Sequence, residues 1–253
     1  MKLSRQLIST SSQRGLTLIE LLVVLIIITG IAGIVLPIMP DVDRRTKGST
    51  GGGNMREVVK AIEMHRSANR SFPDEWDSLI DSNDVTAATL DIVTQDVTSG
   101  DGPAIVTALT AAGITTAYEH DDFTDDSVSQ TFDGLTNTTG LVNELTSNVA
   151  ILDQSGIDNL GLADTGTGAE DTLAYVAFGL GRESTMLGDS IVEAPIRFFE
   201  GSETPISSYG RWIVVFAVPA NADNTLRLAS IAGIRNDALE SVDAHIQRFY
   251  QSL

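Results

Sequence analysis

The chain has 253 residues, of which 42% are hydrophobic, 6% aromatic and 20% charged, enough for one large domain or two small ones with a sizeable core. Thirty-four acids against sixteen lysines and arginines give a formal charge of −18, which argues against nucleic acid, whose phosphates call for a basic surface. Cysteine is absent and histidine occurs only as His65, His120 and His245, so disulfides, thiolate metal sites and cysteine nucleophiles are excluded and a multi-histidine centre is disfavoured.

Residues 1–15 are polar, serine-rich and cationic through Lys2, Arg5 and Arg14. From Leu21 to Met39, nineteen residues follow without a charge. As a helix they span about 28 Å, close to the roughly 30 Å of a bilayer's hydrocarbon core, and we read them as a membrane-spanning segment. The alternative is a cleaved secretory signal. Gly30-Ile31-Ala32 imitates a small-x-small cleavage site, but it lies inside the apolar run, and that run exceeds the usual signal core of about 7–15 residues. Gly15 marks the boundary between leader and apolar run, and Glu20 is the one charge placed just inside it. An ionised acid in a spanning helix costs several kcal/mol unless it is paired or snorkelled, which makes Glu20 a functional candidate.

The segment Gly15-Leu16-Thr17-Leu18-Ile19-Glu20-Leu21-Leu22, followed by an unbroken apolar run and Pro37, resembles the prepilin signature of type IV pilins and type II secretion pseudopilins. The resemblance implies that a membrane aspartyl peptidase cuts after Gly15 and methylates the new amine of Leu16, a position where family members usually carry Phe. It also implies that Pro37 kinks the helix. The organisation expected is a leader at 1–15, a transmembrane and filament-core helix at 16–40, a glycine-rich linker at 41–54 and an acidic globular head at 55–253. Cleavage leaves a positive amine on Leu16, and Glu20 can neutralise such an amine in a low-dielectric setting. The partner is either its own amine, four positions away on a helix face, or that of a neighbouring subunit, and the residues leave both open. The resemblance favours the neighbour, because these proteins polymerise into helical filaments. Arg44, Arg45 and Lys47 nearly balance the leader's cations across the apolar run, so the positive-inside count is almost tied. The resemblance alone places the leader in the cytoplasm and the head outside the inner membrane.

Gly48-Ser49-Thr50-Gly51-Gly52-Gly53-Asn54 is hostile to helix, each interior glycine costing about 1 kcal/mol relative to alanine, so a flexible linker is expected there. Helical spacing resumes from Met55 to Asn69, with Met55, Val58, Val59 and Ile62 on one face. His65 extends that face and reads as a partly buried structural histidine. Phe72-Pro73 closes the helix and resembles the aromatic-proline turn of many pseudopilins, with Trp76, Leu79 and Ile80 expected beneath a short helix that follows.

From Ser71 through Gly181 there is no lysine or arginine, and the same stretch holds twenty acids. A solvated exterior, calcium binding and disorder are the competing readings. The best calcium candidate is Asp121, Asp122, Asp125 and Asp126; Asp164 to Asp171 is another, and neither follows EF-hand spacing. Apolar residues in Ala104 to Ala112 and Leu141 to Leu152 argue for packed segments within this half. Gly179-Leu180-Gly181 lacks a phosphate-loop lysine, and no nucleophile elbow or zinc-protease helix is present. No enzymatic activity is expected.

After residue 172, Leu173 to Phe178, Pro195 to Phe199, Trp212 to Val218 and Leu226 to Ile234 read as strands. Trp212 to Val218 suits a central strand covered on both faces, and short connections imply antiparallel pairing. A last helix is expected with Asn236 as cap and Leu239, Val242, Ile246 and Phe249 on one side. The fold class expected is α+β: a membrane-spanning N-terminal helix, then a pilin-like head of antiparallel sheet and C-terminal helix. By resemblance, the partners are a prepilin peptidase, related subunits, and an assembly platform with its ATPase. The alternative function is a membrane-anchored acidic surface module, with or without calcium, that does not polymerise.

Overall fold

The computed structural model describes residues 17–81, 84–85, 91–120, 138–143, 148–162, 173–181, 183–197, 209–219, 225–235 and 238–250. The chain divides into two units, Met1–Arg45 and Thr46–Leu253.

In the first unit, the apolar run forms helix α1 (Leu18–Val35), none of whose residues is buried. It is, among the described residues, the one helix long and apolar enough to cross a membrane. The helix is interrupted at residues 36–38 before α2 (Met39–Asn69) begins. Pro37 supplies the reason: it has no N–H to donate to the carbonyl four residues back, and its ring crowds that carbonyl. Ile38 N instead donates to Val35 O at 3.1 Å, a tighter three-residue closure. The bend expected at Pro37 is therefore a short break between two helices.

The expected glycine-rich linker is corrected: residues 48–54 are helical and belong to α2. Tertiary packing overrides propensity here. The missing side chains let another helix, α5 (Val242–Tyr250), lie directly on the glycine backbone. A Cβ at Gly51 would overlap Nε2 of His245, and one at Gly52 would sit 2.8 Å from Ile246 Cγ1. The boundary between the two units, at Arg45/Thr46, also falls before this stretch rather than after it.

The rest of the head is built on one sheet. Its strands are β1 (Trp76–Asp77), β4 (Ile92–Asp96), β5 (Thr116–His120), β6 (Thr138–Asn143), β7 (Asn148–Leu152), β8 (Leu173–Gly179), β9 (Ile213–Pro219), β10 (Arg227–Arg235) and β11 (Ala238–Ser241). The path runs β11-β10-β9-β8-β1-β5-β6, with β7 also pairing β8, and β4 pairing β7. Pairing is antiparallel except between β1 and β5. A two-residue hairpin, β2 (Ile80–Asp81) with β3 (Asp84–Val85), stands apart. Where a short helix was expected after Pro73, the chain forms β1 and β2 instead, yet Trp76, Leu79 and Ile80 are buried as their apolar character requires.

Strand β9 is the spine, as its β-branched run suggested. Val214, Phe216 and Val218 point into one core with Met55, Val58 and Ile62 of α2 and Ile105 and Leu109 of α3 (Gly102–Ala111). Ile213, Val215 and Ala217 point into the opposite core with Ile157 and Leu160 of α4 (Gln154–Leu160). Alternate residues of one strand thus serve two helical layers. Phe216 anchors the first core, meeting Phe72 edge-on at 5.2 Å and Trp76 at 5.7 Å. Pro195 to Phe199 is not a strand in its described part; Ile196 makes an isolated bridge to Arg211.

The C-terminal helix starts later than its apolar spacing implied. Leu239 sits in β11, paired with Ile234 of β10, and α5 begins at Val242 with Ser241 Oγ accepting from Ala244 N at 3.3 Å. A four-residue return strand satisfies β10's edge before the helix can begin. Asn236, the expected cap, lies outside the described residues.

Candidate functional site

Leucine and isoleucine from Leu18 onward make a helix inevitable, but its first turn needs partners for four backbone N–H groups. Thr17 and Glu20 form a reciprocal capping box that satisfies two backbone donors, Glu20 N and Thr17 N. Glu20 N donates to Thr17 Oγ1 at 3.3 Å. In return Thr17 N and Thr17 Oγ1 each donate to Glu20 Oε2 at 2.8 Å. Sequence reasoning took Glu20 as a charge partner and missed this cap, although threonine followed three residues later by glutamate is its signal. The carboxylate sits at the positive end of the helix dipole, the end that favours an anion. Both Thr17 donors converge on a single carboxylate oxygen, Oε2.

Gly15 and Leu16, the expected processing residues, lie outside the described residues, as do Asp121, Asp122, Asp125 and Asp126, the calcium candidates. Among the described residues no group of three or more His, Cys, Asp or Glu is arranged to hold a metal.

Some of the acids in the cation-free stretch are pins rather than solvated surface. Asp77, fully buried, accepts from Tyr209 Oη at 2.5 Å. Asp91, 2% exposed, accepts from Leu239 N at 2.7 Å and from Asn159 Nδ2 at 3.1 Å. Asp74 Oδ1 takes the N–H groups of Thr115 and Thr116 at 2.9 and 3.0 Å. Each ties a loop to a distant strand, and no local spacing in the sequence announces such a role. His65 is buried as expected, its Nδ1 3.2 Å from Asp189 Oδ2. His245 is buried too, held by Glu240 and Arg248 and edge-on to Trp212 at 5.6 Å.

Residues 10–36 match the family model of the prokaryotic N-terminal methylation motif. That motif is the signature of type IV pilins and pseudopilins, and it covers the basic leader's end, Gly15, the Thr17–Glu20 cap and all of α1. The chain thus carries an N-terminal segment like that of type IV pilins, on a membrane-capable apolar helix, and an α+β head with a C-terminal helix. No curated protein matches the chain, and no solved structure does.

Proposed function

We propose that the chain is the precursor of a filament subunit of the type IV pilus or type II secretion pseudopilus kind. A prepilin peptidase cuts between Gly15 and Leu16, and α1 then leaves the bilayer to pack laterally against other subunits. The head is displayed outside the inner membrane, and an assembly platform with its ATPase drives insertion. The work is mechanical rather than catalytic.

The observation that carries this reading is the capped start of α1. An apolar helix with no buried residue has one carboxylate at its N-terminus, already positioned by Thr17. In hydrocarbon an apolar surface gains nothing by meeting another apolar surface, so association needs van der Waals fit or a polar contact. A carboxylate at a fixed depth rewards one stagger between neighbours, that which brings a second subunit's terminal amine to it.

Glu20→Ala tests the assembly step. Processing should be intact, read as the mature mass of membrane-extracted protein, while recovery in sheared filaments should be lost. Normal incorporation of Glu20→Ala would contradict the assembly role and favour an anchored module that does not polymerise.

A further inference from the structure

An N-terminal cap decides where a helix starts, and this chain offers two. Thr17 and Glu20 form the capping box of α1. Seven residues earlier, Thr10-Ser11-Ser12-Gln13 has the same spacing, a threonine followed three residues on by an acceptor side chain. Thr10 to Leu16 lie outside the described residues, but the consequence of the choice is geometric. A helix started at Thr10 would carry Gly15 and Leu16 within it, whereas one started at Thr17 excludes both. The proposed cut falls between those two residues.

A peptidase meets these two chains differently. A helix rises about 1.5 Å per residue and extended chain about 3.3 Å, and a bond inside a helix has its N–H and C=O already paired along the coil. Thr17 has φ −73° and ψ 152°, an extended conformation, and its Oγ1 accepts from Glu20 N. The chain therefore enters α1 from an extended residue. Three features favour this start over Thr10. Glu20 brings a full negative charge to the positive end of the helix, where Gln13 is neutral. Glu20 Oε2 accepts from both Thr17 N and Thr17 Oγ1 at 2.8 Å. The earlier start would also place Gly15 in a helix interior, where glycine is disfavoured. Leu16, a strong helix former, pulls the other way, so the cap has something to oppose.

We propose that Thr17 is a positioning residue for processing: its hydroxyl fixes the start of α1 and so keeps the Gly15–Leu16 bond outside the helix, where a peptidase takes it as extended chain. The proposal rests on the cut described above and names what makes that bond accessible. The cut is a hydrolysis, in which water adds its hydroxyl to the Gly15 carbonyl carbon and a proton to the Leu16 nitrogen as the C–N bond breaks. The half of the box that matters is the hydroxyl's acceptance from Glu20 N. That donor is a backbone group, which Glu20→Ala keeps, so processing survives that variant.

The test uses the full precursor in membranes carrying a prepilin peptidase, with cleavage followed by intact mass. Thr17→Val keeps the side chain's shape and removes the cap. Its cleavage should slow by up to about fivefold, the shift that loss of one N-cap makes in the choice of helix start. Thr17→Ser and Thr17→Asn restore a capping oxygen on differently shaped side chains, so both should be cut at the parental rate. Without peptidase, in detergent micelles, amide exchange at Leu16 should slow in Thr17→Val alone, because a helix begun at Thr10 hydrogen-bonds that N–H. With a parent that is cut, three results each overturn this proposal alone: Thr17→Val cut at the parental rate, Ser and Asn variants as slow as Val, or unchanged exchange at Leu16. A parent never cut between Gly15 and Leu16 overturns the processing reading and this proposal together.

Discussion

Gly51 and Gly53 lie two residues apart in the same helix, and alanine should act on them in opposite directions. At Gly53 a Cβ would meet nothing within 4 Å. Alanine there loses less backbone entropy on folding and should stabilise the helix by roughly 0.5–1 kcal/mol. For a unit of this size that is an increase of about 2–3 °C in melting temperature. At Gly51 the same Cβ would overlap His245 Nε2. The imidazole has little room to retreat, because Trp212 meets it edge-on and Glu240 and Arg248 hold its other nitrogen. Forcing a methyl into a packed contact costs about 1–3 kcal/mol, which outweighs the propensity gain and should lower the midpoint by a few degrees. Thermal unfolding of the full chain in detergent, followed by far-ultraviolet circular dichroism, measures both. The double variant Gly51→Ala/His245→Ala provides the cycle: with the ring gone, the added methyl should no longer destabilise. If alanine at 51 and at 53 raises the midpoint equally, α5 does not pack on those glycines. If alanine at 53 lowers it, the stretch is not helical.

Gly15→Val should leave uncleaved precursor in the membrane; an unchanged mature mass would remove the processing step. Asp91→Ala should destabilise the head by about 1–3 kcal/mol by stranding the Leu239 and Asn159 donors, with faster amide exchange at Leu239; unchanged exchange there would refute the link. Burial, with the Asp77 carboxylate alongside, pushes the Tyr209 phenol well above its ordinary value of 10.0. A raised acid resists ionising while folded, so its contribution is complete below pH 10 and is lost as pH climbs beyond it. Alkaline unfolding should therefore set in above about pH 10, and Tyr209→Phe should blunt that dependence while lowering stability at neutral pH; an identical alkaline slope in the variant would exclude Tyr209 as its source.

The features legible in the sequence were those encoded locally. The membrane-capable helix α1 follows from an uncharged apolar run, β9 from a β-branched run, and the inner face of α2 from helical spacing between Met55 and Ile62. The readings that failed depended on partners far along the chain. Four glycines in seven residues read as a linker until α5, some two hundred residues later, supplies the packing that keeps them helical. Leu239 matches a helical face by spacing, but β10 claims it as a strand residue first. Asp77 and Asp91 look like members of a solvated acidic surface, and only the tertiary fold shows that each satisfies a distant donor. The Thr17–Glu20 cap was the exception, a short-range signal overshadowed by the more conspicuous question of a charge within an apolar run.

Both members of that cap lie downstream of Gly15, so a cut after Gly15, as proposed, would leave both in the mature chain. On the processing proposed above, a newly matured subunit would keep its carboxylate occupied by Thr17 of its own chain. Docking of the proposed kind would then exchange donors rather than rescue a bare anion, and a capping interaction is worth only about 1 kcal/mol. If the chain assembles as proposed, an exchange so nearly balanced would make entry into a filament and return to the lipid comparably accessible, and the direction of travel would fall to the assembly motor.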